Sequence, residues 1–366
     1  MDRRDFLKFL GMASSATVLS SCGVEKTTEK LIPFLIPPDE GYIPGEAIYK
    51  NAACNECPAG CGTSVKIVDF NPVKLEGNPE HPLNDGALCL RGQASLMRLY
   101  HPKRIKTPMI RSKKGLILEE MLEGKFKNIS WQEAYDLILT EMKNAASQGR
   151  NNVFFSGATS GTLSELIDSF CKETGVERLP EYETFAFANL REANKLLFGK
   201  GEIPAYHVKE SGFLLTIGAD ILETFVNPVN FAKDVHHSRE HNQMNWIHVE
   251  PHASLTGFQA DKRLTIRPES EAYLLLYLIQ YLTTNKLATR SLPDNLVSAL
   301  PRVTLQKVSQ ETGIATEAIN DLAQQFGEAL ARKPLLIAGG VSTSSERGLE
   351  VAVLAGVLQW ITGMVG

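Results

Sequence analysis

The sequence predicts an α/β protein: a small N-terminal cysteine-bearing subdomain followed by doubly wound parallel-sheet domains. Three observations predict it. Short, largely apolar runs recur at Phe213–Ile217, Asn245–Glu250 and Pro334–Ile337, and two of them end in glycine-containing turns. Helical periodicity follows, most plainly over Glu271–Thr284, Ala315–Ala331 and Glu346–Ile361. Apolar strands alternating with helices assemble into parallel sheets covered on both faces. Four cysteines, Cys54, Cys57, Cys61 and Cys89, gather well upstream of all these runs.

The net charge of −4, with no basic stripe carrying interleaved aromatics, argues against a nucleic-acid partner. No apolar run reaches the 18 or so residues that a membrane span needs. Residues 1–22 read as an export leader. Arg3-Arg4 followed by Asp5-Phe6-Leu7-Lys8, then a weakly apolar Phe9–Leu19, matches a twin-arginine signal. Such a signal predicts the periplasmic face of the cytoplasmic membrane. Leu19-Ser20-Ser21-Cys22-Gly23 has the pattern of a lipobox, which makes Cys22 a candidate lipidation site. Acyl chains add about 0.8 kcal/mol per buried methylene, so two or three would hold the chain at a membrane. Residues 23–50, with Pro33, Pro37, Pro38 and Pro44, read as an extended tether.

Residues 51–108 form the predicted metal subdomain. Cys54, Cys57 and Cys61 sit on one tight loop and Cys89 returns later, an arrangement suited to a [4Fe–4S] cluster with its four thiolate corners. Pro58, Gly60 and Gly62 let the backbone curl between the sulfurs. Structural zinc and a pair of disulfides are the competing readings. Zinc ribbons commonly pair two CxxC knuckles, whereas Cys89 stands alone. Between the loop and Cys89, Ser64–Gly77 reads as two short strands around an Asn71-Pro72 turn. Arg91 places a cation beside the cluster, where it either balances charge or bridges to a second redox group. Twin-arginine transport moves folded proteins, so leader and cluster suit one another: the cluster is loaded in a reducing cytosol before export.

Residues 109–366 carry the α/β region. Tyr100–Ile105 reads as a turn and 111–129 as a charged surface loop or hairpin. Ser130 and Glu133 make a capping box that opens a helix through about Ala146. Val153–Phe155 reads as the first strand of the parallel series, followed by the turn Ser156–Gly161 and a helix from Thr162 to Thr174. Ligands of such folds sit at the carboxyl ends of strands. That makes Gly157, Gly161, Gly218 and Asp220 candidate contacts for a nucleotide-like or pterin-like ligand; glycines that merely permit tight turns are the plainer reading. Cys171, in an apolar helical stretch, is expected to be a buried thiol. His236, His237, His241, His248 and His252 lack an HExxH pattern and are not expected to bind metal. No Ser/His/Asp order with a nucleophile elbow occurs, and Glu181 and Glu183 read as solvated loop carboxylates.

On these residues the chain resembles the molybdopterin oxidoreductase superfamily, the complex iron–sulfur molybdoenzymes. The carrying stretches are the four cysteines with the CLRGQ tail, LEGNPEHP (75–82), YHPKRIKTPMIR (100–111), ISWQEA (129–134), TIGADILET (216–224) and VEPHASLTGFQADKRLTIRPESE (249–271). The resemblance implies a [4Fe–4S] subdomain feeding a molybdenum site held by molybdopterin guanine dinucleotide between α/β domains, with Arg91 between cluster and pterin. It also implies a protein ligand to molybdenum near 181–190. That loop reads EYETFAFANL, without Cys, Ser or Asp, so Glu183 is the candidate oxygen donor. This stretch, with ANKLLFGKGEIPAYH after it, is similar to the molybdopterin-like B subunit of alternative complex III, related to polysulfide reductase-type catalytic subunits. The C-terminal domains of that fold are expected outside these residues. The implied role is an exported redox subunit of a membrane-attached complex, partnered by a ferredoxin-like iron–sulfur subunit and a quinone-reactive membrane subunit. An active molybdenum reductase of polysulfide, thiosulfate or a similar oxyanion is the alternative within the superfamily. A scaffold whose cluster transfers no electrons is the alternative outside it.

Overall fold

The computed structural model describes residues 43–111, 126–159, 161–182 and 187–365. Arg3, Arg4, Cys22 and Glu183 lie outside the described residues, as does most of the proposed tether. The chain divides into two compact units, Met1–Ile48 with Ile67–Asn71, and Tyr49–Lys66 with Pro72–Gly366. In the first, the Gly45 amide donates to Asp69 Oδ1 at 2.8 Å and Asn71 Nδ2 donates to the Asp69 carbonyl at 2.9 Å.

Strands β1 (Ala47–Ala53), β2 (Gly62–Val68) and β3 (Asn71–Gly77) form a sheet in that order. The β2–β3 turn lies at Asp69 and Phe70, not at Asn71-Pro72. Both turn residues have positive φ, 49° and 65°, the twist that a two-residue hairpin requires. Pro72 therefore falls within β3, at the sheet edge, where a missing N–H is tolerated. Two short helices follow, α1 (Leu90–Ala94) and α2 (Leu96–Leu99). Strand β4 (Met109–Arg111) pairs antiparallel with β5 (Phe126–Asn128), so the expected surface hairpin has its two feet in place, and 112–125 lie outside the described residues. Helix α3 (Trp131–Ser147) opens on the expected capping box: the Glu133 amide donates to Ser130 Oγ at 3.2 Å, and the Ser130 amide donates to Glu133 Oε2 at 2.7 Å.

The expectation for Val153–Phe155 needs correction. Strand β6 (Val153–Phe154) does not join the main sheet. It pairs, parallel, with β7 (Glu177–Arg178) across helix α4 (Gly161–Thr174). Its apolar run is too short to be told from a loop by periodicity, and pairing partners are a tertiary matter. Cys171 on α4 is buried with Ile167 and Val176, as expected.

The main sheet is fully parallel, in the order β10-β9-β8-β11, with β8 (Phe213–Ile217), β9 (Asn245–Glu250), β10 (Lys262–Thr265) and β11 (Pro334–Ala338). Strand β10 escaped sequence reading because Lys262, Arg263 and Thr265 give it no apolar run. Before and between the strands run α5 (Phe187–Phe198), α6 (Pro228–Asn242), α7 (Leu255–Gln259), α8 (Glu271–Thr284), α9 (Asp294–Ala299), α10 (Leu305–Thr312) and α11 (Thr316–Glu328), with α12 (Gly348–Ile361) last. Helix α5 covers part of the stretch read as a loop, so Phe187 belongs to a helix and is buried.

Alternation along each strand fixes which face each side chain serves. Phe213, Leu215, Ile217, Ile247, Val249, Leu336 and Ala338 pack with α8, α10, α11 and α12. Leu214, Trp246 and Ile337 point the other way, into a second core with α5, α6 and the loop holding Phe225. Helices on both faces make the sheet doubly wound. Burial on both faces explains why β8 carries five buried residues in a row. Among the described residues no helix is long and apolar enough to cross a membrane.

Candidate functional site

The cysteine loop is built by backbone hydrogen bonds before any metal is considered. The Cys54 amide donates to the Cys61 carbonyl at 2.8 Å, closing the loop, and Gly60 takes φ +60° inside it. Cys61 is buried, while Cys54, Cys57 and Cys89 are partly exposed. Cys89 caps α1, its Sγ accepting from the Gly92 amide at 3.5 Å, so the helix N-terminus faces the sulfur. Such a donor favours a thiolate over a thiol.

The distant cysteine is brought home by a residue that sequence reading missed. Asn84 is fully buried; its Oδ1 accepts from the Gly62 amide at 2.8 Å. Its Nδ2 donates to the Gly62 carbonyl at 2.9 Å and to the Ala87 carbonyl at 2.7 Å. A side-chain β-carbon on Gly62 would strike the His81 ring, and one on Gly77 would strike the Gly86 and Ala87 carbonyls. At Gly77 backbone lies against backbone, and at Gly62 the His81 side chain takes the room of a β-carbon.

Burial pushes the Cys61 thiol up to about 11, with Cys57, Cys54 and Cys89 each adding to the rise. Burial also raises Cys54, opposed by a hydrogen bond at Glu56, while Cys57, Glu56 and Cys89 push it further up. The four sulfurs thus feel one another. Four soft thiolate donors are the ligand set of a [4Fe–4S] cluster, and of tetrahedral zinc as well. Each of Cys54, Cys57, Cys61 and Cys89 is free of disulfide bonding.

Arg91 reaches out of this loop. Its guanidinium donates to the Glu223 carbonyl at 3.1 Å, in the turn that follows β8. Cys57, Pro58, Arg91, Phe187, Glu223, Thr224, Val226 and Pro228 together line a narrow cleft. Nearby, Asn227 Nδ2 donates to the Leu83 carbonyl at 3.3 Å, and Lys233 pairs with Asp85. The cluster loop therefore abuts the carboxyl end of the main sheet.

At that end the chain order reverses between β8 and β11, the position where α/β sheets usually bind ligands. Here the protein's own loops fill it. Gly218 has φ +63°, and a β-carbon there would collide with Ser342; one on Gly340 would collide with the Gly218 carbonyl, and one on Gly339 with the Phe225 ring. Asp220 receives Thr256 Oγ1 and Thr224 Oγ1. Gly218 and Asp220 thus take part in the packing of two loops. Gly218→Ala is expected to destabilise the chain itself by about 2–4 kcal/mol, from left-handed strain plus overpacking. Thermal denaturation of the ligand-free protein measures it; an unchanged midpoint would leave ligand approach as the reason for glycine.

Gly157 and Gly161 lie elsewhere, beside the small β6–β7 sheet. Their turn is tied down at Thr159, whose amide and hydroxyl both donate to Glu181 Oε1 at 3.1 Å. Glu181 is not the solvated carboxylate expected: Arg178 approaches it at 3.3 Å and Arg191 at 3.7 Å. The histidines form no metal group among the described residues. His237 and His241 stack on α6, and His236 pairs with Glu240.

Sequence reading also missed two buried carboxyls near the sheet end. Glu250 accepts from Arg263 Nε at 2.6 Å, from the Ser254 amide at 3.2 Å and from His248 Nε2 at 3.0 Å. Burial alone would raise its pKa, but the Ser254 and Arg263 hydrogen bonds outweigh that and hold it low. Glu271 is raised by burial; Oε1 accepts from Ser342 at 3.0 Å, and Oε2 has no protein partner.

Comparison with known proteins matches residues 49–101 to the molybdopterin oxidoreductase Fe4S4 domain and residues 104–366 to the molybdopterin oxidoreductase model. The menaquinone reductase molybdopterin-binding-like subunit of Nitratidesulfovibrio vulgaris is 31% identical over 100% of this chain and 51% of its own length. The thiosulfate reductase molybdopterin-containing subunit PhsA of Salmonella typhimurium is 22% identical over 100% of this chain and 46% of its own. The chain spans about half the length of these curated relatives. Acetylene hydratase from Pelobacter acetylenicus shares the fold, with a TM-score of 0.65 at 18% identity, over 86% of this chain and 43% of the other.

Proposed function

This chain belongs to the molybdopterin oxidoreductase family, and from that premise we propose that it is an iron–sulfur redox subunit of an exported, membrane-attached complex. The cluster held by Cys54, Cys57, Cys61 and Cys89 supplies one-electron transfer when bound. This chain's residues would place that cluster, exclude water on the Cys61 side, and set its surroundings with Arg91 and the α1 N-terminus. The observation that carries the reading is the Arg91 contact with Glu223, which ties the cysteine loop to the carboxyl end of the main sheet. The similarity to a subunit named for menaquinone reductase supports a quinone-linked partner. We propose a ferredoxin-like iron–sulfur subunit and a quinone-reactive membrane subunit as those partners. Periplasmic placement rests on Arg3 and Arg4, and lipid attachment on Cys22.

A molybdenum reductase acting on thiosulfate or polysulfide is the second reading, favoured by the similarity to a thiosulfate reductase subunit. Metal analysis of the complete native complex decides between them. Iron at about four per chain with negligible molybdenum is expected for the electron-transfer reading. Molybdenum near one per chain that falls on Glu183→Ala would establish the reductase instead. Arg3→Lys combined with Arg4→Lys should leave the protein in the cytoplasm with its iron retained, and continued export would sink the twin-arginine assignment.

A further inference from the structure

We infer that Asn84 is the positioning residue of the iron–sulfur site: its carboxamide sets where Cys89 stands relative to Cys61, and so whether the fourth iron is retained. The inference rests on the [4Fe–4S] reading of the four cysteines and deepens it. Cys54, Cys57 and Cys61 need no such help, because a single short loop closed by the Cys54–Cys61 backbone hydrogen bond carries all three. Cys89 arrives on a separate segment. In the described structure the Asn84 side chain touches both sides: Gly62, the residue after Cys61, through two hydrogen bonds, and Ala87, two residues before Cys89, through a third. One acceptor atom and both amide hydrogens are thereby used, and the side chain is fully buried. No residue other than asparagine offers both a donor pair and an acceptor at this reach. Aspartate keeps the acceptor but sets a carboxylate against two carbonyls, and alanine takes the Asn84 bonds from the Gly62 amide and the Ala87 carbonyl and leaves the Gly62 carbonyl with the Asn78 amide alone.

The three bonds tie the residue after Cys61 to the segment that leads into Cys89. Without them the Ala87–Cys89 segment is held to the loop by backbone contacts made through Asn78, which receives the Gly86 amide at 3.0 Å and donates its own to the Gly62 carbonyl at 3.0 Å. Those contacts preserve the fold of the segment while letting it shift. A displaced Cys89 thiolate leaves one iron short of its ligand. Ferricyanide then removes one electron from the cluster and is reduced to ferrocyanide, while the under-ligated iron departs as Fe²⁺ and leaves a three-iron, four-sulfide core on Cys54, Cys57 and Cys61.

The test uses full-length protein prepared anaerobically, with iron and acid-labile sulfide measured before and after ferricyanide, together with electron paramagnetic resonance. Wild type is expected to keep equal iron and sulfide. Asn84→Ala and Asn84→Asp are expected to fall to about three-quarters of that ratio and to show the oxidised three-iron signal. Asn227→Ala, which removes the neighbouring tie to Leu83, is expected to leave ratio and spectrum unchanged; a three-iron product there would show general loosening and overturn the special place of Asn84. Equal iron and sulfide with a wild-type spectrum in both Asn84 variants would reduce Asn84 to a purely structural residue and overturn the inference. If Asn84→Ala yields no folded protein, Asn84→Asp alone carries the decision. A wild-type protein without iron would instead sink the cluster reading itself.

Discussion

Cys61→Ala is expected to abolish stable cluster binding and, with it, the order of residues 49–101. The reason lies in how little else holds that segment. Among its described residues the buried apolar side chains are Ala59 and Cys61, joined by the polar Thr63 and Asn84. A segment of that size with no apolar core depends on a covalent or metal staple, as small domains do. The apo thiols cannot substitute, since burial and mutual repulsion keep Cys61 protonated up to about pH 11. Cluster binding therefore displaces protons and gathers thiolate charge that the bound metal neutralises. Iron per chain should fall from about four to a small fraction, the broad visible charge-transfer absorption should vanish, and limited proteolysis within 49–101 should accelerate by about tenfold or more. The main sheet should keep its own melting transition, because its cores contain no residue of that segment. Wild-type protein that carries zinc and no iron after anaerobic preparation would refute the central assignment.

Glu250→Ala is expected to be the most damaging single change in the α/β region, by about 3–5 kcal/mol. Both Glu250 and His248 are 1% exposed in the structure. His248 Nδ1 meets Thr216 Oγ1 at 2.6 Å, and Trp246 Nε1 donates to the same hydroxyl at 2.8 Å. Deleting the carboxylate leaves the Ser254 amide and the buried His248 ring without their acceptor, and takes the partner from the partly exposed Arg263 guanidinium. The exposed pair offers a control. Glu240→Ala, which removes the partner of His236, should cost under about 1 kcal/mol. Chemical denaturation measured on both variants checks the contrast, and equal costs would mean that the network is solvated.

The same network predicts a pH dependence. Burial lowers His248 from its ordinary 6.5 despite the attraction of Glu250. Glu250 is lowered from its ordinary 4.5. In each case the unfolded chain binds the proton more readily than the folded one. The stability from these groups is therefore complete above about pH 6.5, and falls as pH drops through each folded value. Wild type should lose stability on acidification from neutral pH, and Glu250→Gln should flatten the lower part of that slope.

The sequence by itself determined a good deal. The four cysteines, their glycines and the CLRGQ tail identified the iron–sulfur segment, because ligand chemistry needs particular residue types at short spacing. The runs at 213–217, 245–250 and 334–337 identified three strands of the main sheet, because burial on both faces leaves a largely apolar signature. The Ser130–Glu133 capping box marked the start of α3, since both of its hydrogen bonds are local. What only the tertiary structure decided is everything that depends on which distant segments meet. Strand β10 is recognisable by its pairing with β9 and by nothing in its own composition, and β6 pairs with β7 instead of the main sheet although its residues read like the other strands. That Gly218 packs against Ser342 is equally invisible in the sequence. Glu181 read as solvated until Arg178 and Arg191 closed on it. Asn84 looked like any loop asparagine, and only the approach of Gly62 and Ala87 from either side gave its three hydrogen-bonding groups their partners. Local propensity and ligand spacing are written in consecutive residues, whereas a buried polar group finds its partners across the chain, and those distances exist only once the chain has folded.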